Sequence, residues 1–432
     1  MFIQSGTIGI IADDLTGAND TALQFHLGGA NTQILFDYTQ GQEGLLKTQV
    51  WAMSTETRNV SKEEAAGAVK KAVNMLKEHL NTEYFFKKID STLRGNIGTE
   101  IQTMLDELGW DAAVVVSAFP TEGRTTVGGY HLLKGVPIER TEFARDPKAP
   151  VKESYVPALL SAQTGAPEDV ALIPLRTVAK GAGPILIELQ NLIKEGKKLI
   201  VIDAVSTTDI EQIVLAVEKS TYQILPCGTA AFAQAFADIW LPETEYQHIS
   251  KTIPDHPIFV VSGSATSLSR IQIEKLTQCS DFEPYIVDLN LEKINTTPFD
   301  NMIDKIEKNL SKHKLVVVYF STTDYQTEKN LEYAKEHDIN PDDIPSIITD
   351  YLAKLTKDVV AIQEVILVLA GGETSFKCCR AIESNNLQVI DEADFAIPLC
   401  LDYYARWIVT KSGNLGTPNT LINILKFLER HK

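Results

Sequence analysis

Short apolar runs alternate with stretches of helical periodicity along this chain. Thr7 to Ala12 (TIGIIA) is almost continuously apolar and rich in β-branched side chains, which suits a strand buried on both faces. Asp13-Asp14-Leu15-Thr16-Gly17 follows. Ala18 to Leu27 then reads as a helix that Gly28-Gly29 ends. Gln33 to Phe36 has the composition of a second strand. Ser61 to Leu80 places Ala65, Ala68, Val69, Ala72 and Leu76 on one face of a long helix. Tyr84 to Lys88 predicts a strand, Thr99 to Leu108 a helix, and Ala112 to Val116 (AAVVV) another buried strand. Buried strands alternating with helices imply a parallel sheet covered on both faces.

Residues 120 to 155 break the rhythm. They are rich in Gly, Pro, Thr and Arg and read as a long functional loop or β excursion. The alternation resumes at Leu199 to Asp203 and Gln223 to Leu225. Leu241 to Pro257 is polar and carries three prolines, the composition of a linker. Beyond it, Ile258 to Val261, Leu315 to Phe320 and Val365 to Ala370 are the strands of a second unit. The expected fold is α/β, in two domains, each a mostly parallel sheet flanked by helices. The boundaries expected are 1–245, a linker at 246–257, and 258–432.

Charge narrows the choice of partners. The 432 residues carry a formal net charge of −17. A chain this acidic lacks the field that holds a nucleic-acid backbone or an anionic bilayer, so neither partner is expected. An anionic ligand has to be held by a local cluster of donors. The five cysteines have no metal-ligand spacing, and Cys378 and Cys379 are adjacent. Reduced thiols in a cytoplasmic protein fit this usage. The stretch after Met1 lacks a basic leader region, and apolar runs such as Val365 to Ala370 are far too short to span a bilayer.

In an open parallel sheet, ligands sit beyond the carboxyl ends of the strands. Asp13 and Asp14 lie there. Two acids at a strand end can bind hydroxyls, accept a proton or hold a metal, and either can cap the helix that begins near Thr16. The densest constellation is Lys87 to Asn96 (KKIDSTLRGN). Within ten residues it offers Lys87, Lys88 and Arg94 as cations, Asp90 as a carboxylate, and the Ser91 and Thr92 hydroxyls. That set suits a small polyhydroxy anion. Arg124, in a turn after Ala112 to Val116, is a second anion donor. His131 lies in the Gly128-Gly129-Tyr130-His131 loop and reads as a surface residue.

In the second half, Ser262-Gly263-Ser264 and Gly371-Gly372-Glu373-Thr374 each join a strand to a helix. Ser412-Gly413-Asn414 forms a third such loop after Lys411. Small residues at a helix start let backbone N–H groups converge on a phosphate. There is no Walker A sequence, no GxGxxG, no HExxH and no GxSxG, which leaves dinucleotide, zinc and hydrolase-elbow readings without support.

IADDLTGANDTA (Ile11 to Ala22), KKIDSTLRGNIGTE (Lys87 to Glu100), FPTEGRTTVGGYHLLKGVPIERTEFARDP (Phe119 to Pro147), VSGS, AGGET and KSGNLG resemble, in order and nearly end to end, the four-carbon acid sugar kinase family. The resemblance implies an amino-terminal domain for a sugar acid and a carboxy-terminal domain for ATP. It implies phosphorylation of the terminal hydroxyl of an acid such as threonate, erythronate or 3-oxo-tetronate. GANDTA is nearer the D-threonate branch. Glu373 stands where many members carry Asp, and Leu415 where many carry Phe. On this view Lys88, Ser91, Thr92, Arg94 and Arg124 bind the acid. Asp13, Asp14 or Asp90 orients the hydroxyl and takes its proton, and Mg²⁺ bridges the phosphates. A homo-oligomer is compatible with the sequence. So is a non-catalytic sugar-acid sensor.

Overall fold

A computed structural model describes residues 7–36, 48–80, 82–146, 149–241 and 252–432. The chain divides into two compact units, Met1–Gln247 and His248–Lys432. Of the expected linker at 246–257, residues 246–251 lie outside the described residues; 252–257 carry neither helix nor strand.

The first unit is built on eight parallel strands: β1 (Thr7–Ala12), β2 (Thr32–Leu35), β3 (Val50–Ser54), β4 (Thr82–Lys88), β5 (Ala112–Val116), β9 (Val170–Ile173), β10 (Leu199–Ile202) and β11 (Ile224–Gly228). Their spatial order is β2-β3-β1-β4-β11-β5-β10-β9. Every residue of β5 and β10 is buried, as the uninterrupted apolar runs require once helices cover both faces. The chain lays β2 and β3 on one side of β1 and then crosses to β4 on the other. The topological switch point therefore falls between β1 and β4, where a doubly wound sheet leaves a crevice at its carboxyl edge.

The expected excursion contains a small antiparallel sheet of β6 (Arg124–Val127), β7 (Tyr130–Leu133) and β8 (Val136–Pro137), flanked by single 3₁₀ turns. Asp203, just past β10, ties it down. Its carboxylate accepts the Gly128 and Gly129 N–H groups at 2.6 and 2.8 Å, and that of Leu175 at 2.9 Å.

The second unit contains β12 (Ile258–Ser262), β13 (Tyr285–Leu289), β14 (Leu315–Phe320), β15 (Ile366–Ala370), β16 (Asn386–Asp394), β17 (Ile397–Asp402) and β18 (Trp407–Lys411). Their order is β13-β14-β12-β15-β18-β17-β16. Five strands are parallel, and β16 and β17 join antiparallel. The switch point here lies between β12 and β15. Among the described residues no helix is long and apolar enough to cross a membrane.

Strand alternation sends Lys87 and Lys88 to opposite faces of β4. Lys87 is fully buried, and its ammonium meets Glu100, in the first turn of the helix Ile97–Leu108, at 2.6 Å. The Thr57 hydroxyl donates to the other Glu100 oxygen at 2.7 Å, and Lys87 also donates to the Lys88 carbonyl at 2.9 Å. This satisfied pair welds β4 to the helix that follows the Lys87–Asn96 loop. Removing one partner strands a buried charge, so Glu100→Ala should lose about 3–5 kcal/mol in urea denaturation. Lys87→Met combined with Glu100→Leu should recover most of it. A Glu100→Ala protein of undiminished stability would contradict this account.

Candidate active site

Asp13 and Asp14 leave β1 in different directions. Asp14 has extended backbone angles and caps the helix α1 (Leu15–Leu27). Its Oδ1 accepts the Gly17 N–H at 2.7 Å and its Oδ2 the Thr16 hydroxyl at 2.7 Å. The cap thus falls to one of the three aspartates expected to take the hydroxyl proton. Asp13 is 3% exposed. It receives a bidentate pair from Arg58, with Nε to Oδ2 at 2.7 Å and Nη2 to Oδ1 at 3.0 Å. The same guanidinium reaches Asp14 Oδ2 through Nη1 at 2.6 Å, and Asp90 Oδ1 lies 3.8 Å from Nη2. One cation serves three carboxylates, a use for which a planar fork is suited. Burial works against ionised Asp13, but the Arg58 charge and hydrogen bond outweigh it and hold the carboxyl below its ordinary range.

Asp90 organises the loop after β4. It accepts the Thr92 hydroxyl at 2.5 Å, the Arg94 N–H at 3.2 Å and Arg94 Nε at 2.7 Å. Burial opposes its charge; Arg94 and Arg58 overcome that and keep it well below the usual carboxylate range. Arg94 is further engaged by Asp146 at 3.1 Å and lies over the Phe143 ring at 5.5 Å. A cleft of about 390 Å³ opens beside Arg58, Arg94, Gly95 and Asn96. Lys88 is buried, with its ammonium 3.4 Å from Asp20. The Ser91 side chain is half-buried.

Arg124 differs from the other two arginines. Its side chain is 13% exposed, and its nearest carboxylate, Glu122, stands 3.8 Å away. Its Nε is buried with no hydrogen-bond partner among the described residues. Burial lowers its pKa, against the pull of Asp90 and Glu122.

His131 lies on β7 and is fully buried, a departure from the surface position expected of it. Its Nε2–H donates to the Ser91 carbonyl at 2.9 Å, so Nδ1 is left to accept from the Ser117 or Thr126 hydroxyl at 3.1 and 3.2 Å. The ring thereby pins the Lys87–Asn96 loop to the small antiparallel sheet.

Arg58 and Glu56 follow β3, a strand the apolar pattern did not single out. The signal was present: Val50 to Met53 is apolar and leads into Thr55-Glu56-Thr57-Arg58. Glu56 adopts the left-handed φ of +51°. Its Oε1 accepts the Leu15 N–H at 2.8 Å and the Ser54 hydroxyl at 2.5 Å. Burial, reinforced by the Asp14 charge, raises its pKa to about 8.

In the second unit the three glycine loops meet. Gly371 has a φ of +114°, and its N–H donates to the Lys411 carbonyl at 2.8 Å. It precedes the helix Gly372–Ala381, which has no side-chain cap, and a helix start of this kind suits an anion. A methyl group on Gly263 would lie 2.5 Å from Thr374 Oγ1, and one on Gly413 would collide with Ser264 Oγ. Thr266 Oγ1 and Ser269 Oγ both donate to the Gly413 carbonyl, at 2.9 and 3.1 Å. Ser262 is buried at the end of β12. Ser412 is half-buried and Asn414 exposed at the tip of its loop. The Glu373 carboxylate lies 3.5 Å from Lys377. Among the described residues no group of three or more His, Cys, Asp or Glu side chains is placed to hold a metal ion.

Residues 8–236 match a family model described as a sugar-binding N-terminal domain, and residues 259–421 one described as a nucleotide-binding C-terminal domain. The chain belongs to the four-carbon acid sugar kinase family. It is 31% identical to a D-erythronate kinase of Heliobacterium modesticaldum, over 97% of this chain and 96% of the relative. It is 27% identical to a D-threonate kinase of Salmonella typhimurium, over 97% and 98%. It is also 27% identical to a 3-oxo-tetronate kinase of Haemophilus influenzae, over 95% and 97%. A solved structure from Salmonella typhimurium shares the fold at a TM-score of 0.80 and 21% identity, covering 96% of this chain and 98% of that one. Another, from Haemophilus influenzae, does so at 0.74 and 23%, covering 97% and 100%. Membership of the four-carbon acid sugar kinase family makes the protein a carbohydrate-acid kinase.

The buried ring of His131 has a testable signature. Burial lowers its pKa to about 4. An unfolded histidine titrates near 6.5, so the folded state loses stability as the pH falls from about 6.5 through 4, by about 3 kcal/mol. A pH series of denaturation midpoints should be shallower over that window for His131→Gln than for wild type. Parallel curves would exclude a neutral, buried ring.

Proposed function

We propose that the protein transfers the γ-phosphoryl group of ATP to the terminal hydroxyl of an open-chain four-carbon acid, with D-threonate as the substrate. The observation that carries this reading is Arg124. It is the cation of the site with an orphaned buried nitrogen, whereas Arg58 and Arg94 are committed to Asp13, Asp14, Asp90 and Asp146. A substrate carboxylate would supply the missing partner, with a charge-assisted hydrogen bond worth about 1.5–3 kcal/mol. Lys88 adds positive charge at the end of β4, and Ser91 offers a hydroxyl to the polyol, whereas the Thr92 hydroxyl is engaged by Asp90 and Arg94.

Asp13, Asp14 and Asp90 form an acidic wall gathered around Arg58, in which Arg58 keeps Asp13 ionised and Arg94 and Arg58 keep Asp90 so. Ionised carboxylates accept hydrogen bonds from several substrate hydroxyls and so orient the terminal one. Phosphoryl transfer needs mainly this positioning, together with charge neutralisation at the phosphates. The nucleotide's phosphates would lie against Ser262-Gly263-Ser264, Gly371-Gly372-Glu373-Thr374 and Ser412-Gly413-Asn414. Mg²⁺, when bound, neutralises phosphate charge. With no metal cage among the described residues, it would be held chiefly by the phosphates themselves.

A coupled ADP-release assay across D-threonate, D-erythronate and 3-oxo-tetronate tests the reading. The highest kcat/KM is expected for D-threonate, and binding of acids without turnover of any would overturn the assignment. Arg124→Ala should raise the KM for the acid by about 10- to 100-fold, with a smaller change in kcat. An unchanged KM would place the carboxylate elsewhere. Gly371→Ala forces a side chain into a backbone region that costs about 1–3 kcal/mol. Its KM for ATP should rise about tenfold or more while that for the acid stays near wild type; the opposite pattern would remove the phosphates from this loop.

A further inference from the structure

The kinase reading leaves the hydroxyl proton without a good acceptor. Asp13 and Asp90 are held as ions by arginines, and both Asp14 oxygens are occupied, one by the Gly17 N–H and the other by the Thr16 hydroxyl and Arg58. Carboxylates held as ions in this way are weak bases, and Asp14 has no oxygen free of a partner to receive the proton. We infer that Glu56 is the general base, taking the proton of the substrate's terminal hydroxyl on Oε2.

Three features of its geometry support the role. Oε1 is fixed by the Leu15 N–H and the Ser54 hydroxyl, which orients the carboxyl group. Oε2 makes no hydrogen bond among the described residues. The backbone is held at a φ of +51°, in the left-handed region a glutamate rarely adopts, and such strain collects at functional sites. The charged groups around it are Asp14 and Arg58, with the Asp20–Lys88 pair next beyond Asp14. None of these cations forms an ion pair with Glu56, in contrast to the three aspartates. Its proton affinity, raised by burial and by Asp14, is matched to neutral pH, as general-base catalysis favours.

In the step, the alcohol O–H bond breaks and its proton passes to Glu56 Oε2. The alcohol oxygen forms a bond to the γ-phosphorus. The bond from that phosphorus to the bridging oxygen breaks, and ADP leaves with the electron pair. The protonated Glu56 returns its proton to solvent after product release.

This inference rests on the kinase reading, and the experiment separates the two. Glu56→Gln keeps an acceptor for Leu15 and Ser54 but cannot take a proton. With the acid that wild type phosphorylates best, kcat should fall at least 100-fold. Calorimetric affinity for that acid should stay within about threefold and the melting temperature should stay close to wild type. For wild type, kcat/KM should climb about tenfold per pH unit below neutrality and level off above about pH 8; the variant's residual rate should lack that limb. Glu56→Asp should recover part of kcat and the limb. A Glu56→Gln enzyme with wild-type kcat, or one that keeps the limb, overturns the inference alone. If Glu56→Gln does not fold, the wild-type profile decides, and a flat kcat/KM from pH 6 to 9 overturns it. Failure of wild type to phosphorylate any four-carbon acid overturns the kinase reading and the base together.

Discussion

Everything at the carboxyl edge of the first sheet depends on one guanidinium. Asp13, Asp14 and Asp90 come from two strand ends that the parallel topology places side by side, and burial opposes the charge of Asp13 and of Asp90. Arg58 compensates with a planar fork: two nitrogens on Asp13, a third on Asp14, and Asp90 in reach. A lysine would offer a single point charge and could not span this spread of acceptors. The Arg58 N–H and that of Thr57 both donate to the Asp13 carbonyl, so main chain and side chain lock the β3 loop onto β1 together.

Arg94 repeats the device one loop later. It holds Asp90 and reaches across 52 residues of chain to Asp146, and Phe143 lies beneath its plane. Arg58 and Arg94 therefore act as struts that present acids to the crevice. That division makes Arg124 distinctive, because its charge is buried nearly as well but is not spent internally.

The parallel strands were legible where burial on both faces demands unbroken apolar runs, as in TIGIIA, AAVVV and IFVV. Strand β3 was missed because five residues ending in serine, with no glycine or proline to punctuate them, do not stand out as a period. Arg58 and Glu56 were missed with it. Strands β16 and β17 pair antiparallel, and β16 alternates buried Leu387 and Val389 with half-buried polar neighbours, so it lacks the run that betrays a doubly covered strand. Within the site, a cap by one of the two adjacent aspartates followed from chain position, but that it is Asp14 did not, because both stand at the same strand end. The commitment of Arg94 to Asp146, and the burial of His131 under Ser91, depend on tertiary pairing that no local window contains.

The small antiparallel sheet has a consequence for how this scaffold can change. The acids, their arginine struts and Glu56 hang from the loops that follow the parallel strands β1, β3 and β4. Arg124 is delivered by β6, which belongs to a separate three-stranded element moored through Asp203 and His131. A shift in the length or tilt of that element would move the anion-seeking guanidinium relative to Asp13, Asp14 and Glu56, while the loop carrying Asp90, pinned to it through His131, would follow. Reach along the substrate and chemistry at its far end are thus carried by separable pieces of the chain, and one can diverge between relatives without retuning the other.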